Sequence, residues 1–210
     1  NRVDRSLVKR EAYRETALSR RSIRQYRNEP VAREILEDIL SLSSHSPTAS
    51  NKQNVAYTVI KDKKIMDEIS GQVFGFSKSI YLRTRKGLGK RIYNVVKRFY
   101  PDGISRYLDP MDHYIAEAGK GRDYILHNAP VLVLVHGPKK GSFVNENCNI
   151  AAANIMNYAH SLGLGSCYIG FLTLALAHSA SLRRKVAVPK DRKVYACLVL
   201  GHPAYRHGFT

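Results

Sequence analysis

The sequence predicts an α+β fold in which several helices pack around a small mixed central sheet. Two patterns predict it. Segments with apolar residues at helical spacing are interspersed with short β-branched runs such as Val55–Ile60 and Val131–Val135, and no internal repeat is present. A chain of 210 residues with 44% hydrophobic and 24% charged content is also long enough for one domain with a sizeable core, and too short to expect two.

The elements follow in order. From Arg5 to Ser19, Leu7, Val8, Tyr13, Ala17 and Leu18 are spaced as one face of an amphipathic helix. Pro30 and the polar Arg27–Asn28–Glu29 interrupt the order. A second helix reads from about Val31 to Leu42, with Ile35, Ile39 and Leu42 on one side and Glu34, Glu37 and Asp38 outward. It ends in the loop signature Ser43–Ser44–His45–Ser46–Pro47. Val55–Ile60 is a strand bounded by Asn54 and a charged turn. From Phe74 to Arg106 runs a basic tract with Lys78, Arg83, Arg85, Lys86, Lys90, Arg91, Lys97 and Arg98. Ile92, Val95, Val96 and Phe99 fall there at helical spacing, which predicts a short basic amphipathic helix with flexible edges.

Asp109 to His127 reads as a helix with a weak point at Gly119–Gly121. Val131–Val135 is a continuous apolar run, the mark of a strand covered on both faces. Asn149 to Leu162 is a helix apolar nearly all round and closed by Gly163. Burial on every side in so small a domain points to a subunit interface. A helix near Leu174 to Val186 and a strand from Val194 to Leu200 complete the order.

The formal net charge is +17. It suits a nucleic-acid binder, an enzyme that steers an anionic cofactor or acidic partner, or a basic surface that serves solubility. No apolar run is long enough to cross a bilayer, and the first residues do not resemble a signal peptide, so the expected location is the cytoplasm. A chain that begins at Asn1 leaves room for residues upstream. Cys148, Cys167 and Cys197 are odd in number and widely spaced, which argues against a disulfide framework, and no metal site is expected.

Four segments carry chemistry. In Ser19–Arg24, the guanidinium forks of Arg20, Arg21 and Arg24 and the Ser22 hydroxyl suit a phosphate monoester. In Ser46–Gln53, Pro47 fixes the backbone while Asn51 and Gln53 supply paired donors and acceptors for the polar edge of a flat heterocycle. Leu162–Gly170 holds glycines at 163, 165 and 170. It lacks the dinucleotide fingerprint, because Tyr168 stands where the third glycine would be. Close approach of backbone to a ligand is the expected reason for these glycines. The terminal Gly201–Arg206 offers a further phosphate ligand in Arg206.

In this order, R-R-S-x-R, S-P-T-x-S-N-x-Q, G-L-G-S-C-x-I-G and a final strand ending in G-H-P resemble the nitroreductase family of flavoproteins, over about Arg20 to Arg206. The S-P-T-x-S-N and G-S-C-x-I-G spellings resemble the subgroup that works with ferredoxin modules. The resemblance implies a single FMN-binding domain over residues 1–210, with a variable basic insertion at about 74–122, forming an intertwined homodimer with FMN at the subunit interface. Arg20, Arg21, Ser22 and Arg24 would contact phosphate and ribityl, with Arg206 completing the clamp. Pro47, Thr48, Ala49, Asn51 and Gln53 would lie against the ring from the opposite subunit. Ile169 and Gly170 would aim backbone N–H groups at its N5 and O4 edge.

Electrons would pass from NADH, NADPH or reduced ferredoxin through flavin N5 to a small organic acceptor such as a nitroaromatic or quinone, in ping-pong order. No catalytic acid, base or nucleophile is assignable, and Arg24 is the candidate for stabilising reduced flavin. Asn147 departs from the family, standing where many relatives carry aspartate. The alternatives are a basic nucleic-acid-binding protein, which leaves the loop and glycine segments unexplained, and an FMN-binding sensor without redox turnover.

Overall fold

The computed structural model describes residues 4–100 and 108–205. Along them run α1 (Arg10–Ser19), α2 (Arg33–Ser44), β1 (Ala56–Ile60), α3 (Lys63–Thr84), α4 (Gly87–Phe99), α5 (Met111–Ala118), β2 (Val131–Pro138), α6 (Val144–Ser161), β3 (Gly165–Tyr168), α7 (Gly170–His178), α8 (Ala180–Lys185) and β4 (Arg192–Gly201). The strands form one four-stranded sheet in the order β1-β2-β4-β3. The α+β class holds, but all three strand pairings are antiparallel. The mixed character expected of the sheet is confined to an isolated parallel bridge between Ser22 and Ser166.

Both faces of the sheet are covered, which is why β2 reads as an unbroken apolar run. Leu132 and Leu134 point with Cys197 and Val199 into a cluster with Ile69 and Val73 of α3 and Leu172 and Leu176 of α7. Val131, Val133 and Val135 point the other way, with Leu198 and Leu200, into a cluster with Leu36 and Ile39 of α2 and Ala151 and Ile155 of α6. Alternation along each central strand thus feeds two cores, and Val131 through Val135 are all fully buried.

Several boundaries differ from the sequence expectation, each for a local reason. The first helix begins only at Arg10, after a short 3-10 turn at Arg5–Leu7 capped by the Asp4 carboxylate, and it buries no residue. Val31 precedes α2; it is fully buried and shares a cluster with Leu36, four positions into the helix, as a hydrophobic staple does. The basic tract is two helices. α3 starts at Lys63, where the Asp62 side chain accepts from the Ile65 N–H, and runs unbroken through Gly71 and Gly75. Met66, Ile69, Val73 and Tyr81 bury one stripe of it, so packing overrides the weak propensity of the glycines.

The helix expected over Asp109–His127 ends at Ala118. Beyond it the Asp123 carboxylate accepts from the Ile125, Leu126 and Asn128 N–H groups and from the Ser70 hydroxyl, and so replaces helical bonds with an anchored loop. α6 begins five residues before the expected Asn149, at Val144, after Phe143 in the left-handed region. At its other end Gly163 (φ +79°) and the bonds Gly163 N–H to His160 and Leu164 N–H to Ala159 form a Schellman cap. The helix near Leu174–Val186 is split by extended Ser179, whose hydroxyl caps α8.

Candidate functional site

The segment Ser22–Tyr26 is laid along the β3 edge of the sheet. Ile23 N–H donates to the Ser166 carbonyl at 2.9 Å, and the segment's other side meets the chain end through Arg27 N–H to His202 and Ala204 N–H to Gln25, each 2.9 Å. Two glycines permit the approach. A Cβ on Gly165 would stand 2.8 Å from Ile23, and one on Gly201 would stand 2.6 Å from Pro130 and 2.9 Å from Tyr26. The ligand-approach reason expected for the glycine segment is therefore corrected at Gly165, where the approaching group is Ile23. Gly170, by contrast, is exposed, and a Cβ there would meet no atom of the described chain.

This packing gathers the cations. Arg21 and Arg24 are exposed and Arg20 is half-buried, and none of the three has an acidic partner among the described residues. Arg21 steadies itself on the Leu18 carbonyl at 2.6 Å. Neighbouring groups register the positive field. Burial, then Arg20 and Arg21, pushes His160 below its ordinary value, and burial pushes His127 down, aided by Arg24 and opposed by Asp123. Burial pushes the Cys167 thiol up, against Arg24, Ser22 and Arg20. Among the described residues, Ser166 Oγ is buried without a hydrogen-bond partner, one strand position from Cys167. The donor set fits an anion with several oxygens: guanidiniums free of carboxylates, beside the exposed Ser22 hydroxyl on the bridged segment.

Beyond β3, the expectation that Ile169 and Gly170 both offer N–H groups needs correction. Ile169 is buried and its N–H donates to the Cys197 carbonyl at 2.7 Å. Gly170 opens α7, where the first backbone N–H groups have no intrahelical acceptor. Arg206 lies outside the described residues, and Tyr205 is the last of them.

The loop Pro47–Gln53 lies elsewhere, before β1 at the opposite edge of the sheet. Ser50, Asn51 and Gln53 all have positive φ, at 53°, 49° and 45°. Such a conformation persists only where its surroundings hold it. Thr48 supplies part of the hold: its carbonyl accepts from Asn51 N–H at 2.9 Å and its hydroxyl from Gln53 N–H at 3.0 Å. Asn147, buried on α6, supplies a further part. Its Oδ1 accepts from Ala49 N–H at 3.0 Å and its Nδ2 donates to Asn54 Oδ1 at 3.3 Å. The exposed Pro47, Asn51 and Gln53, with half-buried Thr48, line a cleft of about 500 Å³ that continues to Val55 and Tyr57.

Sequence reading missed a second anchor of this loop. Arg192 on β4 donates to the Asn54 carbonyl at 2.7 Å and, through Nε, to His136 Nδ1 at 2.8 Å, while His136 Nε2 faces Thr58 Oγ1 at 3.1 Å. No motif marks these positions; only the strand register brings them together. His160 was missed too, and it meets the Ser19 hydroxyl at 2.6 Å.

α6 separates the two clusters. One side of it is buried against β2, β4 and α2, whereas Ile150 and Ala153 are exposed and Asn157 is half-buried. The expectation of burial on all sides is thus corrected within the single chain: one stripe of the helix is uncovered.

Comparison with known proteins places this geometry. The Nitroreductase family model matches residues 17–202. Iodotyrosine deiodinase 1 of Rattus norvegicus is 24% identical over 94% of this chain and 64% of its own length, so the chain spans less than two thirds of that relative. A protein of Methanothermobacter thermautotrophicus named as an NADH dehydrogenase/NAD(P)H nitroreductase is 23% identical over 92% of this chain and 78% of its own. The structure is similar to that of a Bacteroides fragilis nitroreductase with bound FMN, with a TM-score of 0.67, 22% identity, and 94% of each chain covered.

Proposed function

The chain belongs to the nitroreductase family, and from that premise we propose that it is an FMN-dependent oxidoreductase acting as a homodimer. The observation that carries the reading is the division of the expected cofactor contacts. Arg20, Arg21, Ser22, Arg24 and Gly170 gather at the β3 edge, and Pro47, Thr48, Ala49, Asn51 and Gln53 gather before β1 at the other. The β3 edge has the cations and the Gly170 N–H but not the amide-rich loop, and the loop before β1 has the amides but not the arginines. A two-fold partner would bring the loop of one subunit to the basic edge of the other.

Bound FMN would supply hydride and single-electron chemistry between a donor and an organic acceptor. The chain's own residues hold and tune it. Arg20 and Arg21 meet phosphate oxygens, with Arg206 as a further ligand, and Ser22 meets the ribityl chain. Gly170 offers its N–H to the ring edge at the start of α7. Arg24 places positive charge beside the ring and favours its reduced, anionic form. Pro47, Thr48 and Ala49 present backbone and small side chains, while Asn51 and Gln53 offer amides from the partner's loop.

NADH or NADPH is the proposed donor, with reduced ferredoxin as the other candidate, since a basic face suits an acidic carrier. Nitroaromatics, quinones and halogenated phenols are the acceptors to screen. We read residues 1–210 as one domain, with the stretch from about 74 to 122 as its variable basic part.

The test is the visible spectrum of the purified protein, taken after adding FMN and then NADH or NADPH without oxygen. Flavin bands that appear and then bleach support the reading. Bound flavin that resists both nicotinamides but bleaches with reduced ferredoxin moves the donor. A colourless protein that takes up no FMN overturns it.

A further inference from the structure

α4 leaves its apolar face uncovered. Leu88, Ile92, Val95 and Phe99 recur at helical spacing and are 71%, 54%, 57% and 70% exposed. No residue of the helix is buried. The helix is fastened all the same. Gly89 sits so close to the end of α3 that a Cβ would lie 2.1 Å from the Arg83 carbonyl oxygen. Tyr93 and Lys97 grip Asp109 at 2.6 and 2.7 Å, and Tyr93 packs against a small cluster of Tyr81, Leu108 and Met111. The attached flank is therefore that of Tyr93, and the apolar stripe points away from the body of the protein.

The charges around the stripe have one sign. Arg85, Lys86, Lys90, Arg91, Lys97 and Arg98 are the charged residues of this turn and helix, and Arg85 is paired with Asp112. Lys97 is committed to Asp109. Lys86, Lys90, Arg91 and Arg98 are exposed and lack an acidic partner among the described residues. On the adjoining end of α3, Lys78 and Arg83 are exposed as well. An apolar stripe flanked by unpaired cations, on a helix anchored by its other side, has the design of a segment that lies in a membrane interface.

We propose that α4 docks this protein on an anionic membrane surface, with Leu88, Ile92, Val95 and Phe99 entering the boundary between headgroups and acyl chains and Arg91 and Arg98 meeting lipid phosphates. α4 lies on the bilayer in this arrangement; among the described residues, no helix is long and apolar enough to cross. Charge complementarity selects this occupant. A second copy that covered α4 with its own α4 would set the same cations against themselves. Nucleic acid would satisfy the cations but leave the apolar stripe in water. An anionic bilayer satisfies both.

The experiment is flotation of the intact protein with vesicles, some of phosphatidylcholine alone and some containing phosphatidylserine, at low and at high salt. The native protein is expected to float with the phosphatidylserine vesicles only. Replacing Arg91→Gln with Arg98→Gln should weaken partitioning by about 25-fold, at about fivefold per cation. Replacing Leu88→Ser with Phe99→Ser should weaken it on the order of a hundredfold, and neither pair should lower the melting temperature, because none of the four side chains is buried. Three results overturn the proposal. The native protein could fail to float with phosphatidylserine vesicles. The Leu88→Ser, Phe99→Ser variant could bind as the native protein does and be released fully by salt, which makes the contact one of charge alone. Sedimentation could show that the same variant splits a dimer, which makes a second copy the occupant.

Discussion

Asn147 shows how one neutral amide can settle the shape of a loop some distance along the chain. It accepts from Ala49 and donates to Asn54, and both partners lie in the segment that carries three residues of positive φ. Asn147→Leu would remove both the acceptor and the donor, leaving the Ala49 N–H without its partner against a buried apolar side chain. We expect a loss of about 1–3 kcal/mol in unfolding free energy, read by denaturant titration, with FMN binding weakened alongside. At the basic edge, Arg20→Ala removes a charged donor rather than a packing group. FMN affinity should fall about ten- to a hundredfold in a fluorescence titration while the melting temperature of the flavin-free protein stays unchanged.

His136 gives a pH dependence with a definite sign. Burial and Arg192 hold it below its ordinary value of 6.5, and its Nδ1 must be bare to accept from Arg192. The unfolded chain takes up the proton at the ordinary value, so between the two values the unfolded state binds more protons. The stabilising contribution is full above the ordinary value and drains away as the pH falls through the depressed one. His127 and His160 shift in the same direction. Melting temperature should therefore fall with acid below about pH 6.5, and His136→Gln should show a shallower slope over that range. Such roles were hidden in the sequence. Arg20–Arg24 could be read because the residues are adjacent, whereas His136 and Arg192 stand 56 positions apart and meet only through register.

At the scale of elements, legibility followed how locally the structure is determined. β2 was readable because both of its faces are covered and every position must be apolar. α2 was readable because its periodicity is clean, though its start slipped two residues where buried Val31 packs ahead of the first turn. α3 was not readable before Phe74. Gly71 and Gly75 lower its intrinsic preference, and the stripe that rescues it is completed by residues from α7 and β2 far along the chain. The split between α7 and α8 was equally hidden, since Ser179 takes an extended conformation that apolar spacing does not report. α6 was identified but credited with too much burial. Its uncovered stripe makes a prediction of its own: Ala153→Glu, on an exposed position of a helix whose other side is core, should leave the fold intact and give a monomer in sedimentation. If FMN sites are shared between subunits, the same variant loses bound flavin. A monomer that retains FMN with native affinity would contradict the shared site.

For the whole molecule, the decisive feature is that the sheet has two ends with different chemistry. Order β1-β2-β4-β3 puts the amide-rich loop beside one edge strand and the basic turn beside the other. The sequence showed both segments but not their separation, because strand order is a long-range property. Shared sites have an arithmetic consequence. Consider a variant with Arg20→Ala and Arg24→Ala, defective at the basic edge, and another with Asn51→Ala and Gln53→Ala, defective at the loop. Each homodimer carries two sites, and every site has one damaged half. When the two are unfolded together, mixed equally and refolded, about half of the dimers are mixed. In a mixed dimer one site combines both damaged halves and the other combines both intact halves. About a quarter of the sites should then bind FMN with native affinity, although neither parent does. A site built within one subunit predicts something different: every site in the mixture keeps its own defect, and titration of the mixture gives only the average of the parents. Because the two edges lie on opposite sides of the same rigid sheet, chain rearrangement offers no ready way to bring them together in one copy. The appearance of that native-affinity fraction on mixing would therefore require the partner subunit.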